Sequence, residues 1–324
     1  MTEEARAFWV VAPGRGEIRR EVLRAPAGDD VVVQTLFSGI SRGTEALVFG
    51  GHVPQSEWTR MRAPFQEGEF PGSVKYGYAN VGRVECGAEE LKGRAVFALY
   101  PHQTRYVVPA SAVHPLPEGV PPERAILAAN LETAVNGVWD ADPQAGTRVV
   151  VIGAGTVGCL VAWLVSRIEG CDVQLVDVNP ERQRIAQALG VSFAQPDDTL
   201  RDVDVVIHVS GSPDGLQHAL EIAGFEATIV EMSWFGDRKV PLALGGSFHS
   251  KRLTIKSSQV GQVATSRRAQ WDTRRRMAHT LSLLVDSKLD VLITGESSFD
   301  DLPNVMTHLT QTPGNTLCHR IRYQ

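Results

Sequence analysis

The chain has 324 residues, 43% of them hydrophobic and 21% charged, with a formal net charge of −5. This is the profile of a soluble globular protein long enough for two domains with cores of their own, and it excludes a disordered chain. It also speaks against nucleic-acid binding: the one basic cluster, Arg267-Arg268 with Arg274-Arg275-Arg276, is interleaved with Asp272 and reads as a solvated helix face.

From the start to about residue 115, short strand patterns (Val31 to Phe37, Gly82 to Cys86, Ala95 to Leu99, Thr104 to Val108) alternate with Gly and Pro turns. Pro115, Pro117, Pro121 and Pro122 then punctuate a hinge. Beyond it the pattern becomes strand 148–152, helix 157–168, strand 173–177, helix 180–189, strand 204–209, helix 213–222, and strands 226–231 and 252–257. That is the rhythm of a parallel, doubly wound α/β sheet. A helix over 268–287, a strand at 291–294, a helix at 301–310 and a strand from Cys318 to Tyr323 complete the chain. No leader pattern opens it, and the longest uncharged stretch, Val149 to Ser166, carries three glycines, so no membrane partner is expected. Cys86, Cys159, Cys171 and Cys318 lack metal-site or redox spacing, which fits reduced thiols in a cytoplasmic protein.

Residues 148–158 read Arg-Val-Val-Val-Ile-Gly-Ala-Gly-Thr-Val-Gly, a strand followed by a Gly-x-Gly-x-x-Gly turn and a helix start. Gly153 permits the sharp turn, Gly155 clears the way for a pyrophosphate, and Gly158 lets the helix pack close to the sheet. Thr156 and Val157 open the helix, whose free N–H groups and positive dipole end suit phosphate. Asp177 ends the next apolar run at the spacing of an acid that binds the adenine ribose. A carboxylate there repels a 2′-phosphate, so NAD(H) is favoured over NADP(H). Asn179 and Arg182 follow it, and Arg182 and Arg184 are near enough to swing back. Ser210-Gly211 and Ser233 end later strands, where a dinucleotide lies.

These landmarks, with Gly39-Ile40-Ser41-Arg42-Gly43-Thr44-Glu45, Arg105-Tyr106-Val107-Val108-Pro109 and Phe248-His249-Ser250-Lys251-Arg252-Leu253-Thr254-Ile255, resemble the medium-chain dehydrogenase/reductase superfamily. Ser38 to Glu45 looks most like its minor branch that includes the hydroxyethyl-bacteriochlorophyllide dehydrogenases. The resemblance implies a GroES-like catalytic domain, residues 1–115 and 290–324, around a Rossmann domain, residues 116–289, with substrate bound in the cleft between them. The family's zinc ligands would fall at Ser41 or Arg42, at Tyr78 in Gly77-Tyr78-Ala79, and near Ala129-Asn130. None is a good zinc ligand, so no zinc is expected.

Without a metal, a protein group must stabilise the developing alkoxide. Thr44 aligns with the family's proton-relaying hydroxyl and is the leading candidate; the alternative is a turn-capping hydroxyl after Gly43. Tyr78 stands in place of a zinc-binding His as a donor or a space-filler, with Lys75 near enough to lower its pKa. His102 falls on a loop facing the cleft in the family's layout, a general acid or a surface histidine. Glu132 opens the helix under the nicotinamide, as a cap or as a group reaching the active site. Arg42 beside the cleft is an anion contact or a surface residue. Val53 to Phe70, with Trp58, Met61, Phe65 and Phe70, could line a bulky substrate site.

The expected function is zinc-independent, NAD(H)-dependent interconversion of a small-molecule secondary alcohol and ketone. The alternatives are an enone or quinone reductase of the same family, or a non-catalytic dinucleotide binder. The alternating strand 252–257 closes the Rossmann order, and pairing of that edge across a two-fold predicts a homodimer or a homotetramer.

Overall fold

The alternation expected from residue 148 onward forms a six-stranded parallel sheet in the computed structural model, which describes residues 4–312 and 314–323. The strands lie in the order Ser192–Ala194, Asp172–Val176, Arg148–Ile152, Val203–His208, Ala223–Glu231, Thr254–Ser257. In chain order this is 3-2-1-4-5-6, and the order reverses between Arg148–Ile152 and Val203–His208. A dinucleotide binds at the carboxyl ends of the strands flanking such a reversal. The central strand Arg148–Ile152 is a run of Val and Ile after its first residue, and those four residues are buried, as a strand inside a parallel sheet requires. Helix Thr156–Val165 buries seven of its ten residues, which explains its uninterrupted apolar sequence. No helix among the described residues is long and apolar enough to cross a membrane.

Residue contacts divide the chain into Met1–Ala129 with Leu281–Gln324, and Asn130–Thr280. The division falls inside helices Ala128–Ala141 and Thr273–Leu283, where the sequence placed it near the prolines and at 289/290. Residues 124–127 are buried in the first unit. There the Arg124 guanidinium forks onto Asp290, both contacts at 2.7 Å, and donates to the Leu284 and Val285 carbonyls.

The first unit holds a sheet ordered Ile293–Ser298, Cys318–Arg322, Asp30–Ile40, Asn80–Cys86, Ala95–Ala98, Val113–Pro115, with Arg105–Pro109 also paired to Asp30–Ile40. A smaller sheet carries the hairpin Glu4–Ala12/Arg15–Val22, which the sequence pattern did not show. Unforeseen too is helix Arg42–Gly50, which begins directly after Ser41 and ends on Gly51 at φ +75°. This is the mixed α/β architecture of a GroES-like part and a Rossmann part.

Helix Thr273–Leu283 is shorter than the expected 268–287 because Asp272 caps it, its carboxylate accepting from the Arg275 N–H at 2.7 Å. The basic cluster is not wholly a solvated face either. Arg276 is only 2% exposed and donates to Glu132, to the Asn136 side chain and to the Gln262 and Val260 carbonyls.

Candidate active site

The three glycines of the turn are required for three different reasons. A Cβ on Gly153, whose φ is +109°, would stand 2.7 Å from the Ser210 backbone. One on Gly158 would stand 1.8 Å from the Gly153 carbonyl oxygen. Around Gly155 there is open space within 4 Å, the room a pyrophosphate needs at a helix N-terminus. The N–H groups of Thr156 and Val157 fall in the helix's first turn, outside its own ladder.

Asp177 is tied into this turn: Oδ2 accepts from the Ala154 N–H at 2.7 Å and Oδ1 from the Asn179 N–H at 2.8 Å. Each oxygen keeps a further lone pair for a ribose hydroxyl. Asn179 in turn accepts from the Glu181 N–H at 3.0 Å. Arg182 does not swing freely as the sequence allowed, because its side chain is buried while Arg184 is exposed. Burial pushes the neighbouring Cys159 thiol up to about 12, with Arg182 opposing and Asp177 adding to the shift.

At the end of the adjacent strand the exposed Ser210 bonds His208, and the Gly211 N–H donates to Ser233 Oγ at 3.1 Å. His208 and Glu231 escaped the sequence reading. The available signal was a histidine between the apolar residues Val205 to Ile207 and Val209.

In the first unit, helix Arg42–Gly50 carries a hydroxyl-and-carboxylate cluster. The Tyr78 phenol is a neighbour of Ser41 and Thr44, whose hydroxyls act to lower its pKa. Burial, with the Glu45 charge beside it, raises the phenol well above its usual range, so it is a neutral donor at physiological pH. Lys75 does not lower it: that lysine is 1% exposed and held by Glu21 at 2.7 Å, Glu67 at 2.5 Å and Gln103 at 2.8 Å.

His102 is not a surface histidine. It is buried, with Nε2 2.9 Å from Glu45 Oε2 and Nδ1 2.7 Å from Ser38 Oγ, which also meets Tyr323 at 2.9 Å. Glu45, whose other oxygen accepts from the Ser41 N–H at 2.8 Å, was quoted in the motif but given no role. Its interior placement and its histidine partner come from long-range packing. The insert does not present one lining surface: Phe70 is in the core, while Phe65 is 40% exposed against Tyr100.

Glu132 neither opens nor caps its helix, which begins at Ala128. It is 5% exposed and paired with Arg276 at 3.0 Å. Desolvation raises its pKa despite that guanidinium. A carboxyl raised on folding adds stability below its unfolded pKa and loses it as pH climbs through the folded value. Glu132→Gln strands a buried guanidinium and should cost about 3 kcal/mol; adding Arg276→Met should restore most of it. Denaturant melts of the single and double variants measure this, and additive losses would show that the pair does not act as a unit.

Among the described residues no group of three or more His, Cys, Asp or Glu could hold a metal ion. The Ser41 and Tyr78 hydroxyls and the Ala79 methyl do not fit a zinc site, which takes thiolate, imidazole or carboxylate.

No family model matches the sequence. D-guloside 3-dehydrogenase from Escherichia coli is 24% identical over 327 residues, covering 91% of this chain and 93% of that one. 2-Dehydro-3-deoxy-L-galactonate 5-dehydrogenase from Pseudoalteromonas atlantica is 32% identical over 139 residues, and this alignment spans 40% of each chain. Among solved structures, L-idonate 5-dehydrogenase from Escherichia coli superposes with a TM-score of 0.81 at 15% identity over 99% of both chains. Two further structures with this fold carry nicotinamide cofactors. One is an alcohol dehydrogenase from Escherichia coli with NADH (TM-score 0.77, 16% identical, 98% of this chain and 99% of that one). The other is a zinc-binding dehydrogenase from Sinorhizobium meliloti with NADP (TM-score 0.79, 17% identical, 99% of both chains). The chain has a mixed α/β architecture of two parts, with a Gly-x-Gly-x-x-Gly turn in its parallel sheet. Its homologues are zinc-type alcohol dehydrogenase-like, medium-chain dehydrogenases, and it has their fold.

Proposed function

We propose that this chain interconverts a secondary alcohol and a ketone by hydride transfer, with NAD(H) as the dinucleotide and without zinc. In support, its curated relatives are dehydrogenases of sugar derivatives and diols, and two structures of the same fold hold NADH or NADP. The observation that carries the finer reading is the hydroxyl cluster of Ser41, Thr44 and Tyr78, placed where the resemblance puts metal ligands and the proton relay.

The bound dinucleotide supplies the hydride acceptor, or donor, at its nicotinamide ring. Gly155 leaves room for the pyrophosphate, and the first turn of helix Thr156–Val165 offers it N–H groups. Asp177 accepts from the ribose hydroxyls and disfavours a 2′-phosphate. Thr44 donates to the substrate oxygen, and the neutral Tyr78 phenol and Ser41 hold Thr44 in that role and resupply its proton. During oxidation the alcohol proton leaves through Thr44 as the carbinol hydride departs; reduction reverses both movements. Glu45 and His102 hold the helix start from inside. This reading includes a cytoplasmic homodimer or homotetramer built on the edge strand Thr254–Ser257.

Deuteride transfer from labelled NADH across a panel of carbonyls and enones tests the proposal. Label should appear at a carbinol carbon, survive chelator, and require NADH bound at least about tenfold tighter than NADPH, a difference of roughly 1.4 kcal/mol. Reduction of C=C bonds, zinc lost together with activity, or equal dissociation constants would each overturn the corresponding part.

A further inference from the structure

Ser210 stands at the reversal point of the parallel sheet, with its backbone against the first glycine of the nucleotide turn and its side chain exposed. Behind it, His208 is fully buried. The ring's Nε2 lies 2.6 Å from Ser210 Oγ, and Nδ1 lies 2.6 Å from Glu231 Oε2 on the next strand. Glu231's other oxygen accepts from the Ser233 N–H at 2.6 Å, and Ser233 Oγ holds the Gly211 N–H. The segments after both strands are thus stitched through one imidazole. A buried histidine in a strand whose other buried residues are Val and Ile is a costly choice for filling space alone.

The hydrogen-bond inventory of the ring fixes what Ser210 can do. The Glu231 carboxylate oxygen is the acceptor facing Nδ1, so Nδ1 carries a hydrogen. When the ring is neutral, Nε2 must accept, and the Ser210 hydroxyl hydrogen is spent on it. When the ring is protonated, Nε2–H donates to Ser210 Oγ and the hydroxyl hydrogen is free to point outward. The Ser212 N–H donates to the same oxygen at 3.1 Å, leaving a donor role as the hydroxyl's remaining function. The other groups facing the ring are Phe235, stacked at 6.2 Å with the Arg238 guanidinium over it, Gly215 of helix Pro213–Ile222, and Ser233 at 3.4 Å. Among these described neighbours, Glu231 is the charged group in direct contact.

We propose that Ser210 donates its hydroxyl hydrogen to an acceptor oxygen of the bound dinucleotide, and that His208, held by Glu231, takes up one proton to allow it. His208 and Glu231 are then positioning residues that couple cofactor binding to pH. The inference rests on the dinucleotide reading above.

Calorimetric titration of the full chain with NADH, in buffers of differing ionisation enthalpy between about pH 6 and pH 8, counts the protons exchanged. Wild-type protein should take up as much as one proton, with affinity falling by up to about tenfold per pH unit on the alkaline side. Ser210→Ala, a surface change, should bind roughly tenfold more weakly and show neither the uptake nor the slope. His208→Gln, which cannot charge, should also lose the uptake. Wild-type binding without proton exchange, or an unchanged uptake in Ser210→Ala, would refute the coupling while leaving the dinucleotide reading intact. Failure of wild-type protein to bind NADH in any buffer would refute both.

Discussion

Gly155→Asp should raise the dissociation constant for NADH by about 100-fold or more while the melting temperature stays near wild type. Nothing lies within 4 Å of a Cβ at position 155, and its φ of −74° suits any residue, so the fold accepts the side chain. The pyrophosphate does not, because a carboxylate in its lane adds steric and like-charge conflict, and about 2.7 kcal/mol suffices for the ratio. Gly158→Ala should behave in the opposite sense. Its Cβ would fall 1.8 Å from a backbone oxygen that cannot move without breaking the turn, so the nucleotide-binding unit should lose stability before binding can be measured. Calorimetry and thermal melts on both variants separate the two effects. A Gly155→Asp protein with the wild-type dissociation constant would show that the pyrophosphate does not pass this residue.

Thr44→Val should lower kcat by about 100-fold, the scale of losing a proton-transfer partner, while NADH affinity changes little. Valine keeps the shape of threonine and cannot donate. Tyr78→Phe separates the two roles of the phenol. If Tyr78 resupplies the proton of Thr44, kcat should fall by a comparable factor; if the ring only fills space, activity should remain within a few-fold. Burial raises the phenol well above its usual range, so the hydroxyl itself should contribute no ionisation to the pH profile below the alkaline limit. Stopped-flow rates across pH check both variants. An unchanged kcat in Thr44→Val would move the donor elsewhere, and His102 could serve only through Ser38 or Glu45, since both ring nitrogens are engaged.

The sequence carried the Rossmann half well because its signals are local. A strand of Val and Ile, three glycines at fixed spacing and an acid at the next strand end each impose their conformation within a few residues, and the strand Arg148–Ile152 and helix Pro213–Ile222 fall where the pattern put them. The Glu4–Ala12/Arg15–Val22 hairpin was less legible because its cross-strand pairs are mixed in polarity, with Arg6 opposite Arg20 and Trp9 opposite Glu17.

The sequence by itself therefore determined the fold class and the Gly-x-Gly-x-x-Gly turn, since both depend on residue type and short spacing. Only the tertiary structure decided what the isolated polar residues do. Glu132 and Arg276, 144 positions apart, became a buried pair. His102 was drawn inside between Ser38 and Glu45, and His208 was set between Ser210 and Glu231. The physical reason is that a buried polar group is stable only with partners, and those partners arrive from other strands and helices once the chain has folded.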